Sequence, residues 1–131
     1  MSGLLAALGP LAGRVLLAAI FLYSGWMKLT VTGRVAASIA GRGIPFATTA
    51  AYVAGGAEIL GGLALVLGLK ARLASLGLVL YLVVVTYFFH LQPALRGEHA
   101  QILNLLKNAG LAGGLLLLAS HGPGPASVDR A

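Results

Sequence analysis

The 131-residue sequence contains no cysteine. Disulfide exchange, thiolate catalysis, cysteine-ligated zinc and iron–sulfur clusters are therefore excluded within the chain, and any electron transfer needs a bound cofactor or another subunit. Charge is nearly as scarce: 9% of residues are charged, against about 25% in soluble domains. A basic n-region is also lacking, because the first charged side chain, Arg14, already heads an apolar run. The first segment is therefore expected to be retained rather than cleaved as a signal peptide.

Hydrophobic side chains are what the sequence does hold, at 59% with a mean hydropathy of +0.95. A spanning helix needs about 20 apolar residues to cross about 30 Å of hydrocarbon. The length therefore allows roughly four spans and leaves no room for a soluble catalytic domain. The net charge of +6 does not indicate nucleic acid. Most Lys and Arg sit at the ends of apolar runs, where they meet lipid headgroups, and no basic run interleaves with aromatics.

The punctuation predicts spans over about 11–29, 46–69, 73–91 and 101–120 in one integral membrane domain. Gly9-Pro10 suits a helix start, and Gln92-Pro93 a helix stop. Arg14, Ala18, Phe21, Gly25 and Lys28 share one stripe of the first span, with Arg14 expected to snorkel to headgroups. Between the first two spans, Val31, Val35 and Ile39 recur at helical spacing and so do Arg34, Ser38 and Arg42, which predicts a short interfacial helix with its basic edge at the headgroups. Gly55, Glu58 and Gly62 fall in one narrow sector, so Glu58 should face a neighbouring helix and not lipid. Residues 121–131 are rich in Gly and Pro and read as a mobile tail. The expected fold is an all-α bundle of four antiparallel transmembrane helices.

In order along the chain, Arg14, the run Phe21 to Leu29, Gly43-Ile44-Pro45, the run Gly55-Gly56-Ala57-Glu58-Ile59-Leu60-Gly61-Gly62, His90, Lys107-Asn108 and Ser127-Val128-Asp129 resemble the DoxX family of small four-helix bacterial membrane proteins. The resemblance implies an inner-membrane protein. Some members of that family are similar to subunits of quinone-linked oxidoreductases such as thiosulfate:quinone oxidoreductase, and others to partners in oxidative-stress complexes. The wider group includes methylamine-utilisation proteins, cargo receptors and receptor-assembly chaperones, so fold does not fix activity. Without the cysteines of some distant relatives, a quinone or another apolar small molecule is the ligand to expect.

The alternation of four spans places both termini on one face, side A, and the 30–46 and 92–100 connections on the other, side B. By helical rise Glu58 lies roughly 18 Å in from side B, and Lys107-Asn108 about 10 Å in. Lys28 and His90 end their helices on that side. An ionised Glu58 alone in hydrocarbon would cost several kcal/mol, so it must be protonated, paired or hydrated, and by depth Lys107 is its expected partner. Three readings follow: a structural Glu58–Lys107 pair that fixes helix register, a lipid-facing Glu58 bystander, or a functional pocket. In the pocket, Lys28, Tyr87, Lys107, Asn104 and Asn108 would hold a ligand and Glu58 with His90 would relay protons. That pocket points to a membrane component of a quinone-linked redox system, as against a non-catalytic scaffold or assembly chaperone.

Haem is not expected, because His90 and His121 end on opposite faces and His99 lies in a loop. Zinc is not expected either, since His90 and His99 lack ligand spacing. The expected partners are the bilayer, a protein of a redox complex and, through Gly-rich helix faces, a second copy of the chain. Arg14, Lys70, Arg72 and Arg130 on side A balance Lys28, Arg34, Arg42 and Arg96 on side B, and the dense Lys70-Ala71-Arg72 turn tips the expectation to cytoplasmic termini.

Overall fold

The computed structural model describes residues 2–129. Among them are five helices and no strand: α1 (Ser2–Thr30), α2 (Thr32–Ala40), α3 (Ala47–Leu67), α4 (Ala71–Leu95) and α5 (His99–His121). All but α2 are long and apolar enough to cross a membrane. The short α2, between the first and second spans, is the expected interfacial helix; it buries Ala36 and Ile39 and leaves Arg34 and Ser38 exposed.

The predicted faces are the ones that pack. Arg14, Ala18, Phe21 and Gly25 are the buried residues of α1, and Ala51, Gly55, Glu58, Gly62 and Leu65 those of α3. The tightest packing joins α1 to α3 and α4 to α5; α3 also touches α4, α1 barely reaches α5, and α3 and α5 stand diagonally without meeting. Glycine sets the α1–α3 distance. A Cβ at Gly25 would lie 2.8 Å from the Gly55 carbonyl oxygen, and one at Gly55 would lie 3.0 Å from Lys28 Cβ. Two backbones cannot approach this closely with any side chain between them.

Two helix boundaries differ from expectation. Pro10 lies inside α1, where it forfeits one hydrogen bond to the carbonyl of Ala6 in a turn that is mostly exposed. Pro93 does not stop α4. Residues Thr86–Leu91 widen into a π-helical segment, after which Gln92–Leu95 resume the α-helix. A proline ring clashes with the carbonyl four residues earlier, and the wider turns before Pro93 relieve that clash.

Arg14 does not snorkel. It is 1% exposed and donates from Nη1 to the carbonyls of Leu65 (3.0 Å) and Val66 (2.9 Å), and from Nη2 to those of Pro125 (3.1 Å) and Ala126 (2.8 Å). The guanidinium thus caps the C-terminal end of α3, where carbonyls lack intrahelical partners and a cation is favoured. Residues 122–129, for which composition predicts mobility, lie against the α3–α4 turn instead. Val128 and Asp129 N–H groups donate to Leu67 and Gly68 carbonyls (2.8 Å each). The Asp129 carboxylate accepts from the Lys70 and Ala71 N–H groups at 2.7 and 2.8 Å. Arg130 and Ala131 lie outside the described residues.

Replacing Arg14 with Met should remove these four hydrogen bonds and lower unfolding stability in detergent by about 2–4 kcal/mol; an unchanged midpoint would refute the capping role. The Ala71 and Lys70 amides hold the Asp129 carboxyl below its ordinary 3.8. A depressed carboxylate stabilises the folded form above its unfolded value and loses that contribution as pH falls through the folded value. The Lys70 and Ala71 amide resonances should therefore stay constant from neutrality to about pH 4 and move only below it, whereas Asp129→Asn should shift them at neutral pH.

Candidate functional site

The close α1–α3 approach brings Ser24 and Lys28, one turn apart, onto Glu58. Glu58 is 3% exposed. Its Oε1 accepts from Lys28 Nζ at 2.7 Å and from Ser24 Oγ at 3.1 Å, and Lys28 Nζ also donates to Ser24 Oγ at 2.7 Å. The carboxylate is therefore paired and hydrogen-bonded inside the bundle, as burial of a charge requires. An ammonium has three donors, and these contacts use two. Tyr81 on α4 completes the group. Its buried hydroxyl lies beside the Glu58 carboxylate but has no partner at hydrogen-bond geometry.

Lys28 is not the partner expected from depth. Lys107 lies on α5, diagonal to α3, and is exposed. Helical rise gives depth but not azimuth, and the diagonal arrangement separates two residues of similar depth.

Between α1, α2, α3 and α4 lies a cavity of about 490 Å³. Its polar lining is Lys28, Arg34, Ser38, Tyr81 and His90, and its apolar lining is Val35, Ile39, Ala54, Val85 and Phe89. Lys28, held from behind by Glu58, forms the floor and α2 the roof, and just past α2 Arg42 stacks 5.3 Å from the centre of the Phe89 ring. Volume and mixed lining are those of small-molecule sites.

The π-helical turns of α4 aim its polar residues at α5. Gln101 Oε1 accepts from His90 Nδ1 at 2.6 Å and from Asn104 Nδ2 at 3.3 Å, which sets the Nδ1–H tautomer. Asn108, 8% exposed, donates to Thr86 Oγ1 at 3.1 Å. Of the residues expected to form one site, Lys28 and His90 line the cavity, and Glu58 stands behind Lys28. Asn104 acts behind His90, and Asn108 ties α4 to α5 beside a separate apolar cleft that Tyr87 also lines. Tyr87 is exposed, its ring edge-on to Phe88. Sequence reading did not single out Ser24, Tyr81, Arg34 or Ser38 for the site. Ser24 carried a usable signal, lying one turn from Lys28, whereas Tyr81 sits in an otherwise apolar run and carried none.

A double-mutant cycle tests this pairing. Glu58→Gln and Lys28→Met should couple by about 2–4 kcal/mol in unfolding. Glu58→Gln and Lys107→Met should add to within about 0.5 kcal/mol, and coupling to Lys107 instead would contradict the geometry.

The DoxX family profile matches residues 9–91, a stretch holding Arg14, Lys28, Glu58, Tyr81 and His90. Similar curated proteins include Inner membrane protein YqjF of Escherichia coli, 31% identical over 93% of this chain and 90% of that protein. Inner membrane protein YphA of Escherichia coli is 30% identical over 92% of the chain and 87% of its own length. No solved structure matches significantly.

Proposed function

This chain belongs to the DoxX family of integral inner-membrane proteins, and on that premise we propose that it is the membrane component of a quinone-linked redox system, holding a quinone or a similar apolar small molecule in the side-B cavity. The observation that carries this reading is the cavity of about 490 Å³ in which hydrogen-bond donors face apolar walls over a buried ion pair. The residues fit such a ligand. Val35, Ile39, Val85 and Phe89 offer surface to a ring, and Lys28, Arg34 and Ser38 offer donors to its carbonyl oxygens. The Tyr81 hydroxyl is a buried donor still without a partner.

A quinone accepts two electrons and two protons to become a quinol, with the electrons assigned to a redox-active partner subunit. The chain's own residues supply binding and protons. The third N–H of Lys28 is free for a ligand oxygen, because Glu58 and Ser24 take the other two. His90, its Nδ1 bonded to Gln101, keeps Nε2 for exchanging a proton with the ligand. Glu58 holds Lys28 in place and keeps its ammonium compensated. A second reading, a scaffold or assembly chaperone whose Glu58–Lys28 pair only sets helix packing, draws on the 3% exposure of Glu58.

Mass spectrometry of lipid extracts from purified protein separates the two. A quinone should co-purify with the wild-type chain and be reduced at least about tenfold in Lys28→Met, the equivalent of one charge-assisted hydrogen bond, while helical content is retained. Absence of quinone, or equal amounts in folded Lys28→Met, would leave the scaffold reading standing.

A further inference from the structure

A second cavity, of about 430 Å³, lies on the outer side of the α3–α4 pair. Ala57, Gly61, Ala64, Ala74 and Gly77 line it, and it runs from Tyr81 to Lys70. At 1.5 Å per residue that is about 16 Å of helix. Ala57, Leu60, Leu73 and Gly77 along it are exposed, so it opens to lipid. Tyr81 lines both this groove and the polar cavity. The two are neighbours across a single side chain, one taking up the side-B half of the bundle and the other running on to side A.

We infer that the two cavities form one bipartite site for an amphiphile, with its oxygen-bearing head over Lys28 and its single long apolar chain in the α3–α4 groove. The inference rests on the proposed ligand reading and adds the chain to the head. From His90 to Lys70 the combined site covers about 30 Å along α4, the thickness of the hydrocarbon layer. A molecule held there lies parallel to the surrounding lipids and enters sideways from the bilayer. Tyr81 stands at the junction, where head meets chain.

A slender chain suits this groove better than a helix from another copy does. Gly61 is the glycine that would admit a close helix, and it is already filled from within. A Cβ placed there would lie 2.8 Å from Leu78 Cδ2. What remains is lined by Ala57, Ala64, Ala74 and Gly77 between the larger Leu60, Leu69 and Leu73, room for methylenes and not for a second backbone at close range. Gly77 is different, since a Cβ there meets nothing within 4 Å, so a side chain can be added without disturbing α3 or α4.

Gly77→Leu is therefore the test, with Gly113→Leu, also exposed and in open space, as the control on α5. The probes are 2,3-dimethoxy-5-methyl-1,4-benzoquinone bearing a decyl chain at C6 and the same ring without it. Binding is measured to the full chain in nanodiscs, with protein-free nanodiscs subtracted. Gly77→Leu should weaken the decyl quinone about threefold or more, because the added side chain fills the groove and denies the chain its packing contacts, the surrounding lipid being as apolar as the groove itself. It should leave the bare ring unchanged, and Gly113→Leu should alter neither. If the wild type binds both probes and Gly77→Leu is indifferent, or weakens both equally, the groove inference falls and the head-group reading stands. If Gly77→Leu instead converts a dimer to a monomer by native mass spectrometry, the groove is a helix interface and the inference is overturned. If the wild type binds neither probe, both fall together.

Discussion

Lys28 reaches Glu58 because nothing larger than a hydrogen stands at Gly25 and Gly55. The dependence runs both ways. Two glycine faces give close van der Waals contact but little to fix rotation or register, since lipid tails are as apolar as the helices. The ion pair with Ser24 supplies that direction, because an unpaired carboxylate at this depth would be costly. Once α1 and α3 are locked, α2 has a fixed base on which to lay Ala36 and Ile39 against Ala51, and the cavity beneath it acquires a floor and a roof. Without the pair the glycines would still pack, but they would not specify the pocket.

The α4–α5 pair is held by a different chemistry. Neutral hydrogen bonds from His90 to Gln101 and from Asn108 to Thr86 join it near side B, and Phe21, Leu78, Leu82 and Leu115 fill the core between the pairs. The bundle is therefore two tight pairs in looser contact, and its cavities lie along the seams between and beside them. The widened turns at Thr86–Leu91 matter here. They shift the azimuth of His90 relative to an ideal helix, so one residue can line the cavity while its ring is bonded to α5.

Much of this was legible in composition and periodicity. Hydropathy gave four spans, and the 55, 58, 62 sector on α3 gave the buried face correctly because small residues and a carboxylate in lipid have few other places to go. The partner of Glu58 was not legible. Depth follows from residue counting, but which helices are diagonal depends on packing angles that no single helix encodes. The role of Arg14 was hidden for a related reason: an arginine near a span end has headgroups available, and only the position of residues 125–126 makes four carbonyls the better company. Composition also misjudged the stretch after His121, since Gly and Pro favour mobility in isolation but also permit the positive φ of 83° at Gly122 and 74° at Gly124 that turn it back onto the bundle.

That turn ties the beginning of the chain to its far end. Arg14 finds its carbonyl partners 111 and 112 residues downstream, so α1 enters the bilayer during synthesis with a guanidinium whose final ligands have not been made. Nη1 gains the Leu65 and Val66 carbonyls once α3 is in place, but until residues 125–126 emerge Nη2 must borrow water, headgroups or the insertion machinery. The Leu67 and Gly68 carbonyls wait for the Val128 and Asp129 amides over the same interval, as does the first turn of α4 for the Asp129 carboxylate. Assembly of this bundle is thus timed by residues 125–129: the spans can insert in sequence, but the side-A end is complete only when that stretch arrives.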